Sequence, residues 1–408
     1  MTRKRKILFG VLLAVVGLPL VSVLAVVVFF SLLNPVFVNV SNQSSGSIVT
    51  AGEKRPYLLH VPKGYDPGRP TPLVISLHGA ALWPAAQMKT SRLNTVADEQ
   101  GFLVVYPSAV PVAPLPFLPR LPVWRTDEPE PEAGLKQDVR FISELIDTLQ
   151  AAYTIDPSRV YVSGFSNGGA MAAVLSCALS DRIAAVGTVA PALDALPWSS
   201  LAGCRPVPMV QFHGTADRFA PYDGGLSWPT PRPFPSISTW AGNWARRNRC
   251  GPNPIDSVVA ADVSRLEYTD CAVDAAVVLY TIRGGGHTWP GGEPLPKWWA
   301  RPTSRSIDAS NQMWTFFREH RLQTNAEARR PTGAWSLVRE ARAVHATVGA
   351  AKAGVLTSAA APRRRGCSLR GTRRMSGSRG SRMSDCSRRP SRTADSSRSQ
   401  ATVISPPT

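Results

Sequence analysis

No pair of cysteines in this chain has Cys-x-x-Cys spacing, and no pair of histidines has His-x-x-x-His spacing. A structural zinc site therefore has no support, and neither metal nor cofactor is expected. No internal repeat is evident, so the chain does not read as a repeat array. Between residues 7 and 325 there is almost no net charge. The formal charge of the 408-residue chain is +18, but four basic residues stand at positions 3–6, and residues 326–408 hold 17 Arg and Lys against 4 Asp and Glu, which leaves +1 for the middle. The basic surplus belongs to the two ends, and no nucleic-acid partner is expected. After residue 355 aromatic and β-branched residues nearly vanish, so that stretch cannot bury a core.

Residues 7–33 contain no charged residue at all. As a helix, this run reaches about 40 Å, more than the ~30 Å of a bilayer core. It is too long for an ordinary signal peptide, and no small-x-small cleavage site follows before Asn39. A signal-anchor helix is expected, with the basic cluster on the cytoplasmic side and the rest of the chain extracytoplasmic. A long cleaved signal peptide, giving a secreted protein, is the alternative. The expected domains are a basic flank plus transmembrane helix over 1–33, a polar linker over 34–54, a globular domain over 55–323, and a disordered Arg/Ser-rich tail over 324–408. The oligomeric state is not legible.

Within the middle region, seven short runs read as strands: residues 57–62, 72–78, 102–107, 159–164, 184–190, 207–213 and 276–282. Several are apolar throughout, as strands of a parallel sheet covered on both faces must be. Between them, Val139, Ile142, Leu145, Ile146 and Leu149 fall at helical spacing. The expected fold is α/β, a mostly parallel sheet with helices on both faces. Residues 110–122, "VPVAPLPFLPRLP", break the pattern. A chain with proline at this density is expected not to join a ladder, and the segment is expected to be an extended surface loop or a lid.

The stretch "VYVSGFSNGGAMAAVL", residues 160–175, places Ser166 inside G-x-S-x-G between an apolar strand and a small-residue helix. That context fits a nucleophile elbow, a tight turn that lifts the serine hydroxyl above the sheet edge. A serine needs a base, and the base needs an orienting acid. His287 follows the strand "VVLYTI" after three glycines, and Asp217 follows "VPMVQF", so both would reach the same sheet edge. Asp194 and Asp223 are the rival acids, and Asp217 follows its strand most closely. The developing oxyanion needs backbone N–H donors. Asn167, after the serine, would supply one, and Ala80, within one residue, would supply the other from the loop after "LVISLHGA".

Taken together, "LHGA", "YTIDPSRVYVSGFSNGGAM", "HGTAD" and "GGGHTWPGG", in this order, resemble the extracellular polyhydroxybutyrate depolymerase and feruloyl esterase family of α/β-hydrolases. The resemblance covers about residues 55–321. It implies a serine carboxylesterase with Ser166, Asp217 and His287 as its triad. It also implies the disulfides Cys177–Cys204 and Cys250–Cys271, leaving Cys367 and Cys386 in the tail. The expected substrate is a small or polymeric ester, with Trp83, Trp124 and Trp289 lining a wall for an aromatic or hydroxyalkanoate group. Two departures from the family pattern, "AALWPAAQ" after His-Gly and the proline-rich insert, bear on the acyl pocket. A prolyl oligopeptidase-like peptidase or an inactive surface-binding hydrolase would share the same fold.

Overall fold

The computed structural model describes residues 45–112, 120–126, 134–192, 203–227, 233–294 and 300–322. The expected membrane helix and the expected tail lie outside them. Among the described residues no helix is long and apolar enough to cross a membrane.

The sheet has ten strands. In chain order the chain's strands are β1 (Gly46–Thr50), β2 (Glu53–His60), β3 (Thr71–Leu77), β4 (Leu103–Pro107), β5 (Val110–Val112), β6 (Leu121–Val123), β7 (Ile155–Phe165), β8 (Ala185–Val189), β9 (Met209–Gly214), β10 (Gly225–Leu226), β11 (Pro233–Phe234), β12 (Ile255–Ala260), β13 (Val263–Tyr268) and β14 (Val277–Ile282). The sheet order is β1-β2-β4-β3-β7-β8-β9-β14-β13-β12. From β4 to β14 neighbouring strands run parallel, and antiparallel pairs close both edges. The central strands β3, β4, β8 and β9 are buried along their whole length, which is why they read as unbroken apolar runs.

Two cores form, one on each face. One face carries α3 (Gly134–Ala152), α4 (Asn167–Ala178) and α5 (Ile237–Arg247). In α3, Phe141, Ile142, Leu145, Ile146 and Leu149 make one fully buried stripe, the product of their helical spacing. The other face carries α1 (Pro84–Ser91), α2 (Leu93–Gln100) and α6 (Ala309–Arg318). The helix starts are capped where the sequence allows it. Ser236 Oγ accepts the Thr239 N–H for α5, and the Asp308 carboxylate accepts the Asn311 N–H for α6.

All seven expected strands are present. Two segments expected as linker and as loop instead form strands. Residues 46–50, inside the stretch expected as a linker, form β1, which pairs with β2 from Gly46↔Tyr57 to Thr50↔Glu53. Its polar, half-exposed pattern resembles a linker because an edge strand has only one face to bury. The proline-rich insert also joins a ladder at its two ends. Strands β5 and β6 pair antiparallel with Pro111 opposite Pro122. Two prolines facing each other share the non-hydrogen-bonded position of the ribbon, so neither missing N–H interrupts it.

Disulfides join Cys177 to Cys204 and Cys250 to Cys271.

Candidate active site

Strand β7 ends at Phe165, and α4 begins at Asn167. Ser166 between them has φ 53° and ψ −120°, a conformation that non-glycine residues rarely hold and that marks strain at a site. Its backbone is fixed on both sides. Its N–H donates to Val189 O (3.0 Å), and its carbonyl accepts from Gly169, Ala170 and Ala192. The flanking glycines are steric necessities. A Cβ on Gly164 would lie 2.1 Å from Gly168 O, and one on Gly168 would lie 2.4 Å from both His78 O and Leu77 O. The elbow therefore presses directly on the end of β3. Ser166 is half-buried, so its hydroxyl is reachable.

The loops after β9 and β14 are tied together. Thr215 N–H donates to Ile282 O, Ala216 N–H to Gly285 O (2.8 Å), and Gly284 N–H to Thr215 Oγ1 (2.8 Å). This brings Asp217 to His287. His287 Nδ1 donates to Asp217 Oδ2 at 2.8 Å, since an ionised carboxylate can only accept. Asp217 Oδ1 accepts the N–H groups of Phe219 and Ala220, both at 2.8 Å. Burial pushes the Asp217 carboxyl up, but the charge and hydrogen bond of His287, with His213 and the Ala220 N–H, outweigh it and hold the group below the usual carboxylate range. With Nδ1 carrying the proton, His287 leaves Nε2 as the basic nitrogen. The imidazole lies between aromatic rings, with Phe165 at 4.9 Å and Phe219 at 5.2 Å between centroids. Among the described residues no hydrogen bond links Ser166 Oγ to His287 Nε2. The contact of Phe165 with His287 puts the serine's neighbour against the base. Of the rival acids, Asp223 is exposed, and Asp194 lies outside the described residues.

The loop after β3 faces the elbow. A Cβ on Gly79 would meet the Phe165 ring at 3.2 Å and Ser166 Cβ at 3.3 Å. The N–H groups of Ala80 and Asn167 have no hydrogen-bond partner among the described residues.

The three indoles divide. Trp289 and Trp124 are both 0 % exposed, and their N–H groups are satisfied internally, by Ser310 Oγ and by His78 O, each at 3.0 Å. The expectation that these two line a substrate wall does not fit such burial. Trp124 bonds the Asn167 side chain through its backbone, and Trp289 lies 6.4 Å from the Phe165 ring. Trp83, at the start of α1, is half-buried.

Several residues that matter here escaped sequence reading. Phe219 shields the imidazole. His213, two strand positions past the fully buried Gln211, has its Nε2–H on Ala220 O (2.8 Å) and lies 3.5 Å from Asp217 Oδ2. His78 is wholly buried and neutral. It accepts the Ala109 N–H at Nε2 (3.0 Å) and donates from Nδ1 to Gly79 O (2.8 Å). Burial lowers its pKa to about 4. The "LHG" and "FHG" pairs, each at the end of a buried strand, were the available signal for both histidines. Among the described residues no group of three or more His, Cys, Asp or Glu stands close enough to hold a metal.

Comparison with known proteins bears on the family. The family model Esterase PHB depolymerase matches residues 55–199. A protein named as an esterase, NocK of Nocardia uniformis subsp. tsuyamanensis, is 34 % identical over 270 residues, covering 60 % of this chain and 73 % of that protein. Feruloyl esterase B of Piromyces equi is 27 % identical over 57 % of this chain, which spans 42 % of that relative's length. Feruloyl esterase C of Emericella nidulans is 26 % identical over 69 % of this chain and 88 % of its own. Among solved structures, an acetyl xylan esterase from Aspergillus awamori aligns over 65 % of this chain and 94 % of its own, with a TM-score of 0.46 and 16 % identity. The chain belongs to the PHB depolymerase family of esterases and is a carboxylic ester hydrolase.

Proposed function

We propose that this esterase works through an acyl-enzyme formed on Ser166, with His287 as general base and Asp217 as the acid that orients it. The observation that carries the reading is the 2.8 Å bond from His287 Nδ1 to Asp217 Oδ2, with the imidazole against Phe165, the residue before the strained Ser166. The substrate carbonyl lies over Ser166, with its oxygen toward the N–H groups of Ala80 and Asn167. Ser166 Oγ attacks the carbonyl carbon as His287 Nε2 takes its proton. Asp217 stabilises the resulting imidazolium without taking the proton itself. The tetrahedral oxyanion gathers charge at the two N–H groups, each worth about 2.7–4 kcal/mol in such sites. Collapse expels the alcohol, which takes the proton from His287. Water then repeats the sequence and releases the acid.

The substrate class is a hydroxyalkanoate oligomer or a hydroxycinnamoyl or short acyl ester. The relatives' names point this way, and Trp83 is the one of the three expected indoles that a substrate can reach. Disulfides in the catalytic domain fit an oxidising, extracytoplasmic location. The uncharged run over residues 7–33 supports a membrane anchor there. A fluorophosphonate probe tests the chemistry. It should label one residue, Ser166, by peptide mapping, and label nothing in Ser166→Ala. Labelling at another serine removes Ser166 as nucleophile.

A further inference from the structure

The proline-rich insert is joined to both proposed oxyanion donors through one residue, Trp124. Trp124 follows β6, and its backbone is clasped by the Asn167 side chain. Its N–H donates to Asn167 Oδ1 (2.8 Å), and its carbonyl accepts from Asn167 Nδ2 (3.1 Å). This pairing also fixes which way the amide points, since a flip would set donor against donor. The indole N–H of the same residue donates to His78 O (3.0 Å), at the start of the loop that carries Ala80. Two residues before Trp124, in β6, Pro122 O accepts the Ala81 N–H (2.9 Å). His78 and Ala81, which flank the Gly79–Ala80 pair, are thus bonded to Trp124 and to β6, and the side chain of Asn167 is bonded to Trp124. The two N–H groups themselves are left free.

The far side of this strap is anchored in the core. Asp138, fully buried on α3, accepts the Arg125 N–H at Oδ2 (2.9 Å) and ion-pairs with Arg125 and Arg55 at Oδ1 (2.9 and 2.7 Å). Arg55 donates in turn to Ser108 O, next to the Ala109 N–H that bonds His78. The His78 and Trp124 rings lie 5.3 Å apart. Trp124 is 0 % exposed, so none of this serves substrate contact.

We infer that Trp124 and the Asn167 side chain are positioning residues, which hold the separate Ala80 and Asn167 N–H groups at one spacing by bonding both to the 120–126 strap. The inference rests on the proposed roles of Ser166 and the two N–H groups. Asn167 then has two functions, a backbone donor toward the oxyanion and a side chain that sets where that donor stands. Preorganised donors stabilise a developing charge because they need not reorient as it forms. A loosened strap therefore affects the transition state more than the bound ester.

Trp124→Phe keeps the ring and removes the one indole donor, and Asn167→Ala removes the clasp while keeping the backbone N–H. Rates on p-nitrophenyl acetate should be counted per active site titrated with fluorophosphonate, so that misfolded enzyme does not enter. Each variant should lose about tenfold in kcat, the scale of one hydrogen bond in a site, with KM within about twofold. A trifluoromethyl ketone, which forms a tetrahedral oxyanion on the serine, should bind more weakly by the same factor. The double variant should lose less than the product of the two single losses, because one strap serves both. Should Trp124→Phe fail to fold, Asn167→Ala, half-buried and at a helix start, carries the test alone. Wild-type kcat per titrated site, or unchanged ketone affinity, in Asn167→Ala overturns the inference while Ser166→Ala stays inactive. Wild-type turnover in Ser166→Ala overturns both the inference and the reading beneath it.

Discussion

Asp217 holds His287 with one carboxylate oxygen and is held by its own loop with the other. Oδ2 accepts the His287 Nδ1–H at 2.8 Å, while Oδ1 accepts the N–H groups of Phe219 and Ala220 at the same distance. The imidazole orientation is thus inherited from the turn after β9. That turn is fixed in its own right by His213, whose Nε2–H donates to Ala220 O.

Asp217→Asn should keep the fold and cost about 10⁴ in kcat, as the same change does in the serine protease triad. The amide can donate to Nδ1 and so stabilise the tautomer with its proton on Nε2, the nitrogen that must accept. A loss under tenfold on p-nitrophenyl acetate would show that Asp217 does not orient the base.

Stability should fall as pH drops from about 6.5 toward 4. Burial depresses His78 from 6.5 to about 4 and also lowers His213. In that window the unfolded chain binds protons that the folded chain refuses, so unfolding is favoured as pH falls. For His78 alone the loss amounts to about 3 kcal/mol across the window. Below the usual carboxylate range Asp217 adds to it, because its lowered folded pKa means that its contribution is lost only as pH falls through that lower value. Urea midpoints between pH 4 and 7.5 measure this. A flat profile would contradict the burial of the two neutral histidines.

Reduction should destabilise the domain. The bridges join residues separated by 27 and 21 positions, and loops of this length are worth about 3 kcal/mol each. The urea midpoint should drop in dithiothreitol, and non-reducing peptide mapping should find Cys177 bonded to Cys204. A different partner for Cys177 would refute the pairing.

The placement of the proposed triad was legible because it follows strand ends. The runs before Ser166, Asp217 and His287 are apolar for burial on both faces, and each proposed catalytic residue comes just after its run. The edge strands were not legible. β12 has exposed Ile255, Val258 and Val259, and β13 mixes Ser264, Arg265 and Glu267 with apolar residues. Neither carries the pattern of a strand covered on both sides. The strap was hidden for another reason. Its bonds join residues 43 and 46 positions apart, and only tertiary packing brings Trp124 under the elbow. The same long-range packing buries Trp289, which proximity in sequence to His287 had suggested for substrate contact.

Trp289→Ala should therefore act on stability. Removing a fully buried indole bonded to Ser310 costs about 3–5 kcal/mol, while the ratio of methyl ferulate to p-nitrophenyl acetate turnover stays that of the parent enzyme. Both proteins should hydrolyse the acetate and butyrate esters faster than the palmitate. A selective loss of ferulate turnover at unchanged thermal midpoint would return Trp289 to the substrate wall, and faster palmitate turnover would point to a lipase.

The most direct measurement is the turnover of Ser166→Ala on p-nitrophenyl acetate beside the parent enzyme, with matched urea midpoints to certify the fold. Loss of about 10⁵–10⁶ in kcat, the scale of triad serines, is the predicted result. Turnover within tenfold of the parent would contradict the acyl-enzyme on Ser166.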